Sequence, residues 1–250
     1  MALLHRATLR PTKLDLLAAW LPSQPWFLGP TDVAGELAGV TRGLTGADVV
    51  SRGAYRFDDP ADEVGIETML VGTADGPVHQ VPLTYRAAPL DGADDWLVGT
   101  TEHSVLGTRW VYDGCVDPVY VAALAHAILA GGGQAEQYLE VDGRREVREP
   151  TVTIAVSGAG DADVAPVGAV RQVVEEDNTT IVTDSAELVV VRRPGVGDAT
   201  GPTLLGSWNG QPTSVPLAYM TLGHVLANLL TVSDDTAVRL CGLIAPAAEI

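Results

Sequence analysis

Glu102, His103 and Ser104 form the tightest run of acid, imidazole and hydroxyl in this sequence. Side chains of these types carry out general acid–base and nucleophilic chemistry when the imidazole reaches the hydroxyl. Adjacent strand residues point to opposite faces, so on a strand His103 and Ser104 would not meet, and the trio reads first as a hydrogen-bonded strand end. His5, His79, His126 and His224 are too far apart in sequence for a His-x-x-x-His metal pair. Asp58, Asp59, Asp62 and Glu63 surround Pro60 and could hold a cation, but their spacing is not that of an EF-hand, and a solvated turn accounts for them. No glycine precedes a lysine, which removes the P-loop, and no Gly-x-Ser-x-Gly elbow is present. The expectation is that no metal and no cofactor is bound.

A second group could bind rather than react. Tyr85, Trp96, Trp110, Trp208 and Tyr219 offer flat apolar faces on which a sugar ring can stack, and Arg86 adds a forked donor beside them. Each of these aromatics also suits a strand that packs into a core.

Positioning such groups is the work of short strands. Thr12 to Leu21 reads as a helix, with Thr12 as N-cap, Asp15 in the first turn, Leu14, Leu17 and Leu21 on one face, and Pro22 as its stop. The next hundred residues are strand-like at 49–57, 64–71, 78–85, 96–101 and 108–112, rich in Val, Thr, Tyr and Trp. Asp75-Gly76 and Asp91-Gly92 separate some of them, and short turns between consecutive strands mean an antiparallel meander. Residues 118–130 read as a second helix, capped by Asp117 and ended by Gly131 to Gly133. Further strands are expected at 138–141, 152–156, 169–174, 179–183, 188–192, 203–208 and 213–219, with helical material toward Leu243.

An internal echo links Gly72, Gly76, Val81, Pro82, Leu83 and Tyr85 to Gly206, Gly210, Val215, Pro216, Leu217 and Tyr219. Convergent hairpin chemistry and a true duplication both account for it.

The chain of 250 residues is long enough to bury a sizeable core. Its net charge of -17 repels phosphate backbones and anionic membrane surfaces, which argues against a nucleic-acid or membrane partner. Fourteen arginines stand beside a single lysine, Lys13. Two cysteines, Cys115 and Cys241, make neither a disulfide framework nor a zinc cluster. The N-terminus lacks the apolar run of a signal peptide, and the most apolar stretch, Tyr219 to Leu230, is too short and too polar to span a bilayer. A cytoplasmic location is expected.

Three stretches carry a family resemblance: LDLLAAWLPSQPW from Leu14, VPLTYRAA from Val81, and TEHSVLGTRWVYDG from Thr101, the last followed by Pro118-Val-Tyr-Val. Together they resemble the maltokinase N-terminal cap family, in particular its actinobacterial stand-alone members, over about residues 10–150. The resemblance implies an α+β module, a curved antiparallel sheet with a few helices, that sits on the N-lobe of an aminoglycoside-phosphotransferase-like kinase. Glu176 to Arg193 resembles the opening hairpin of such an N-lobe, with Asn178, Thr179, Leu188, Arg192 and Arg193 on its pattern. The position of its phosphate-positioning lysine falls on Val189, which cannot donate a hydrogen bond. The five histidines are followed by Arg, Gln, Ser, Ala and Val, so the kinase His-Gly-Asp loop is missing from the sequence, and the residues after Arg193 are too few for a helical catalytic lobe.

The resulting expectation is an α+β protein: a cap-like domain over residues 1–157, a linker over 158–168, and a β-rich module resembling a kinase N-lobe over 169–250. The expected role is a non-catalytic interaction or regulatory subunit linked to sugar phosphorylation or α-glucan and trehalose metabolism. Its expected partner is a sugar kinase, a glycan enzyme or a second copy. Two alternatives stay open. One is a carbohydrate or nucleotide binder using Arg86, Trp110, Trp208, Tyr85 and Tyr219. The other is an enzyme, either on Glu102, His103 and Ser104 or as half a kinase completed in trans.

Overall fold

Thr12 begins the first helix as a full capping box. Its hydroxyl accepts from the Asp15 amide, and the Asp15 carboxylate accepts from the Thr12 amide. In this computed structural model, residues 2–4, 8–29, 44–141, 144–157 and 168–221 are described. The elements run β1 (Ala2–Leu4), β2 (Leu9–Arg10), α1 (Lys13–Trp20), β3 (Val50–Phe57), β4 (Gly65–Gly72), β5 (His79–Arg86), β6 (Leu97–His103) and β7 (Gly107–Asp113). They continue as α2 (Pro118–Ala130), β8 (Gln137–Val141), β9 (Arg144–Arg148), β10 (Val152–Ser157), β11 (Val170–Glu175), β12 (Thr179–Thr183), β13 (Glu187–Val190), β14 (Thr203–Trp208) and β15 (Gln211–Thr221).

The fold is α+β: two antiparallel six-stranded sheets, one of them strongly curled, and two short helices among the described residues. The first sheet has the order β2-β6-β7-β5-β4-β3 and the second β10-β14-β15-β13-β12-β11. A third, three-stranded sheet joins β1, parallel, to the β8–β9 hairpin. The meander expected from the first half holds for β3, β4 and β5. The next hairpin then inverts, so that β7 and not β6 lies beside β5. The ten residues between β5 and β6 are long enough to step over one strand position, as short turns would not be.

Numbered from β2 and from β10, both sheets read first, fifth, sixth, fourth, third, second. One topology therefore occurs twice. The echo in the sequence does not follow it, because that echo places the β4–β5 hairpin on β14–β15, whereas the repeated topology places β4–β5 on β12–β13. The turns differ as well. Trp208 pairs with Gln211 across a two-residue Asn209-Gly210 turn with Gly210 at φ 88°, whereas β4 and β5 are joined by a longer loop that contains Asp75-Gly76. The echo is convergent hairpin chemistry.

Helix α2 lies between the sheets. Its Tyr120, Val121, Leu124 and Ile128 pack with Tyr55, Ile66 and Leu70 of the first sheet and with Val152, Leu188, Leu204 and Leu217 of the second. On the other face of the first sheet, Leu17, Leu21, Trp20 and Trp26 cover Met69, Val71, Val81, Leu83 and Val111. The first sheet is thus buried on both sides, which explains why β4 and β5 are almost continuously buried rather than alternating. Strand β10 pairs with β14 and so joins the second sheet. Most of the expected linker, and the expected helix toward Leu243, lie outside the described residues. No helix among the described residues is long and apolar enough to cross a membrane.

Candidate functional site

The densest polar cluster lies where the two sheets meet, and Arg192 is its centre. It follows β13 at the edge of the core and is fully buried. Its Nη2 donates to Asp113 Oδ2 at 2.6 Å and to Glu175 Oε1 at 3.4 Å, and its Nε donates to Thr179 Oγ1 at 2.6 Å. The guanidinium lies over the Trp26 ring, 4.5 Å from its centroid, and the Trp26 indole N–H donates to the same Glu175 oxygen at 3.0 Å. The Arg192 amide donates to Asn178 Oδ1 at 3.2 Å. Burial alone would pull the Arg192 pKa down, but the negative charges around it, Asp113 foremost and then Glu175, outweigh it and hold the pKa above its ordinary value. Burial raises the Glu175 pKa against the pull of Trp26 and Arg192. Burial likewise pushes the neighbouring Cys115 thiol well up, so it is no ready nucleophile.

Gln80 completes the junction. Its amide N–H donates to Arg192 O at 2.8 Å, its side-chain nitrogen donates to Val191 O and Leu217 O, and its side-chain oxygen accepts from the Tyr55 hydroxyl. A buried glutamine thus satisfies backbone groups of the second sheet from within the first, as buried polar groups require. Asn178, Thr179 and Arg192 were visible in the sequence as parts of one pattern. Asp113, Glu175, Trp26 and Gln80 were not, because nothing local marks them as partners of a residue up to 166 positions away. The sequence does show Arg192 directly after the apolar run Leu188 to Val191, the one local sign of a buried ion pair.

A second cluster joins the lone lysine to the first sheet. Glu67 of β4 accepts from Lys13 Nζ, from Arg56 Nη2 at 2.8 Å and from the Tyr85 hydroxyl at 2.9 Å. Burial would raise the Glu67 pKa, but the Arg56 and Lys13 charges and the bonds from Lys13 and Tyr85 hold it down at about 2. Burial lowers the Lys13 pKa, against Glu67, and Arg56 and Arg148 push it the same way.

The expected ligand surface is divided by the pleat. Tyr85 faces Glu67 and Lys13, while its neighbour Arg86 points through the other face to α2. Trp110 pairs with Arg86 across β7 and β5. Trp208 and Tyr219 lie in the second sheet, on β14 and β15. Arg86 makes a forked ion pair with the fully buried Asp117, both bonds 2.7 Å, while the same carboxylate caps α2 by accepting from the Val119 amide. Asp117→Ala removes the cap and strands Arg86, and is expected to destabilise by about 2–3 kcal/mol; Asp117→Asn keeps the cap and is expected to lose less. Thermal melts of the two variants check that order.

Glu102, His103 and Ser104 are placed apart in role. Glu102 accepts from Thr108 across the hairpin, His103 Nδ1 accepts from the amides of Val105 and Leu106, and Ser104 accepts from the Thr8 amide. Asp59 accepts from the amides of Ala61, Glu63 and Val64, which organises the acidic turn around its own backbone. Among the described residues no group of His, Cys, Asp and Glu is arranged to hold a metal ion.

A search of the curated proteins finds no match. A family model does match, to a cap domain and not to a kinase catalytic domain, over a narrower stretch than the quoted motifs suggest. Over residues 20–117, from the last residue of α1 through β3 to β7 and on to the N-cap of α2, the chain is similar to the family model described as the maltokinase N-terminal cap domain.

Proposed function

We propose that this chain is a non-catalytic interaction or regulatory subunit linked to sugar phosphorylation in α-glucan or trehalose metabolism. The cap match ties it to that setting, since the family takes its name from maltokinase. The observation that carries the non-catalytic part is the state of Arg192. Its guanidinium is committed to Asp113, Glu175, Thr179 and Trp26 inside the sheet junction, with no side-chain exposure, and presents nothing to a phosphate. Val189, where the kinase pattern has its lysine, is buried and apolar. The buried Arg192–Asp113 pair joins the two sheets, and this structural role supports the non-catalytic reading.

The test is a coupled assay with maltose and MgATP, first with this protein alone, then with the maltokinase of the same cell. Alone, it is expected to form no sugar phosphate. In the mixture it is expected to co-elute with the kinase at a fixed ratio and to shift its KM or kcat at least twofold. Phosphate transfer by the isolated chain overturns the non-catalytic reading, and separate elution with unchanged kinetics overturns the partner.

A further inference from the structure

No described helix covers the outer face of the second sheet: α1 lies on the first sheet and α2 between the two. The strand ladder sets Thr180, Val189, Tyr219 and Thr203 side by side in one row. The adjoining row, Val190, Ala218 and Leu204, belongs to the core around α2. The first row therefore points the other way, with Val182 and Leu205 on the same outer face. Val189 is only 6% exposed there, although neither apolar core formed by described residues includes it.

The topology that occurs twice identifies what belongs on this face. Chirality links the face a side chain takes to the side on which its own N–H and C=O lie. In a strand of L-residues running upward, a side chain toward the viewer goes with an N–H on the right; in a strand running down, with one on the left. With β7 running upward and β2 at the left, β3 runs down at the right edge. Ala54 of β3 turns its N–H and C=O away from β4, to Thr151. Its side chain therefore points away from the viewer, and its neighbour Tyr55, with α2, lies on the viewer's side. In the same view of the second sheet, β15 and β10 run upward and β10 is at the left. Ile154 of β10 turns its N–H away from β14, to Gln134, so its side chain and the core it joins lie away from the viewer. The outer face of the second sheet thus corresponds to the face of the first that α2 covers. Helix α2 follows β7, and the segment in the same place in the repeat follows β15.

We infer that residues 224–232, which lie outside the described residues, form a helix that docks on this outer face as the counterpart of α2. Their sequence carries the pattern such a helix needs. Val225, Leu226, Leu229 and Leu230 share one side at helical spacing, while His224, Asn228 and Thr231 fall opposite. Nine residues make a helix about 14 Å long, and the four central strands of the sheet, β14, β15, β13 and β12, also span about 14 Å. The segment starts where β15 ends, which holds it near the face at about millimolar effective concentration, an advantage that a second copy of the chain lacks. This inference does not rest on the subunit reading.

A spin label tests it in the full chain. Ser157→Cys places the label on an exposed residue at the edge of the outer face, next to Thr203, and Cys241→Ser leaves only the buried Cys115 as a second thiol. The NMR methyl signals of Val225, Leu226, Leu229 and Leu230 are expected to be broadened by the label in the same chain. They are expected to stay sharp when a spin-labelled chain is mixed with a separate isotope-labelled one. The paired change Leu226→Asp with Leu229→Asp is expected to abolish the broadening. It is also expected to speed hydrogen exchange of the β13 and β14 amides about tenfold while β4 and β5 keep their protection. No broadening within the chain, or exchange of β13 and β14 indifferent to the paired change, overturns the proposal. Broadening that arises only between chains overturns it in favour of a second copy on this face.

Discussion

Replacing Arg192 by Met is expected to destabilise the fold by about 3–5 kcal/mol, because Asp113 is then left buried with its charge uncompensated. The pair is fully internal on both sides, so removing Arg192 relieves its own desolvation but leaves that of Asp113 with nothing to offset it. The double replacement Arg192→Met with Asp113→Leu removes both charges and is expected to return most of the loss. Urea titrations of the single and double variants measure the coupling, and a double variant as unstable as the singles would show that Trp26, Thr179 and Gln80 matter more than the charges. The same variants also probe the joint between the sheets. Arg192 lies in the second half, while Asp113, Trp26 and the Gln80 carbonyl lie in the first, so its loss is expected to lower unfolding cooperativity as well as stability.

The second large effect is at Glu67. Its folded pKa of about 2 lies below its ordinary 4.5, so the unfolded chain takes up a proton first as the pH falls. The stabilisation it supplies is therefore complete above about pH 4.5 and is lost as the pH falls toward 2. At about 1.4 kcal/mol per pH unit that stabilisation is roughly 3 kcal/mol. Glu67→Gln removes this dependence and leaves Lys13 and Arg56, with side-chain exposures of 27% and 17%, facing each other without their shared carboxylate. The variant is expected to lose about 3 kcal/mol at pH 7 and to show a flatter stability profile between pH 5 and pH 2. An unchanged acid profile would assign the acid sensitivity to other carboxylates.

Much of the local structure was legible in residue order. Asp117, Pro118 and Gly131 bounded α2 as expected, and Gly131 adopts the left-handed C-terminal conformation at φ 71°. Thr12 and Asp15 fixed the start of α1, and the strands at 179–183 and 203–208 fell where Val, Thr and Leu are dense. The β9 strand escaped notice because Arg144 to Arg148 is mostly charged and carries no apolar alternation. Of the candidate residues, the face of each was readable from strand period, but their company was not. Tyr85 and Arg86 are neighbours in sequence and lie on opposite sides of a sheet, while Thr153 and Ser207 are 54 positions apart and lie side by side.

What the sequence by itself determined is both described helices, most of the strands and the cap-domain resemblance, because helix caps, turn residues and hydrophobic period act over a few positions, whereas β1, β2 and β9 carry no such local signal. What tertiary structure alone decided is the strand order that both sheets share, the inversion that sets β7 beside β5, and the partners of Arg192. Those depend on which apolar faces close on one another around α2. A strand's pattern fixes the face it buries and leaves its neighbour open. A buried arginine likewise requires a carboxylate, but the requirement does not say which one until the two sheets have closed around it.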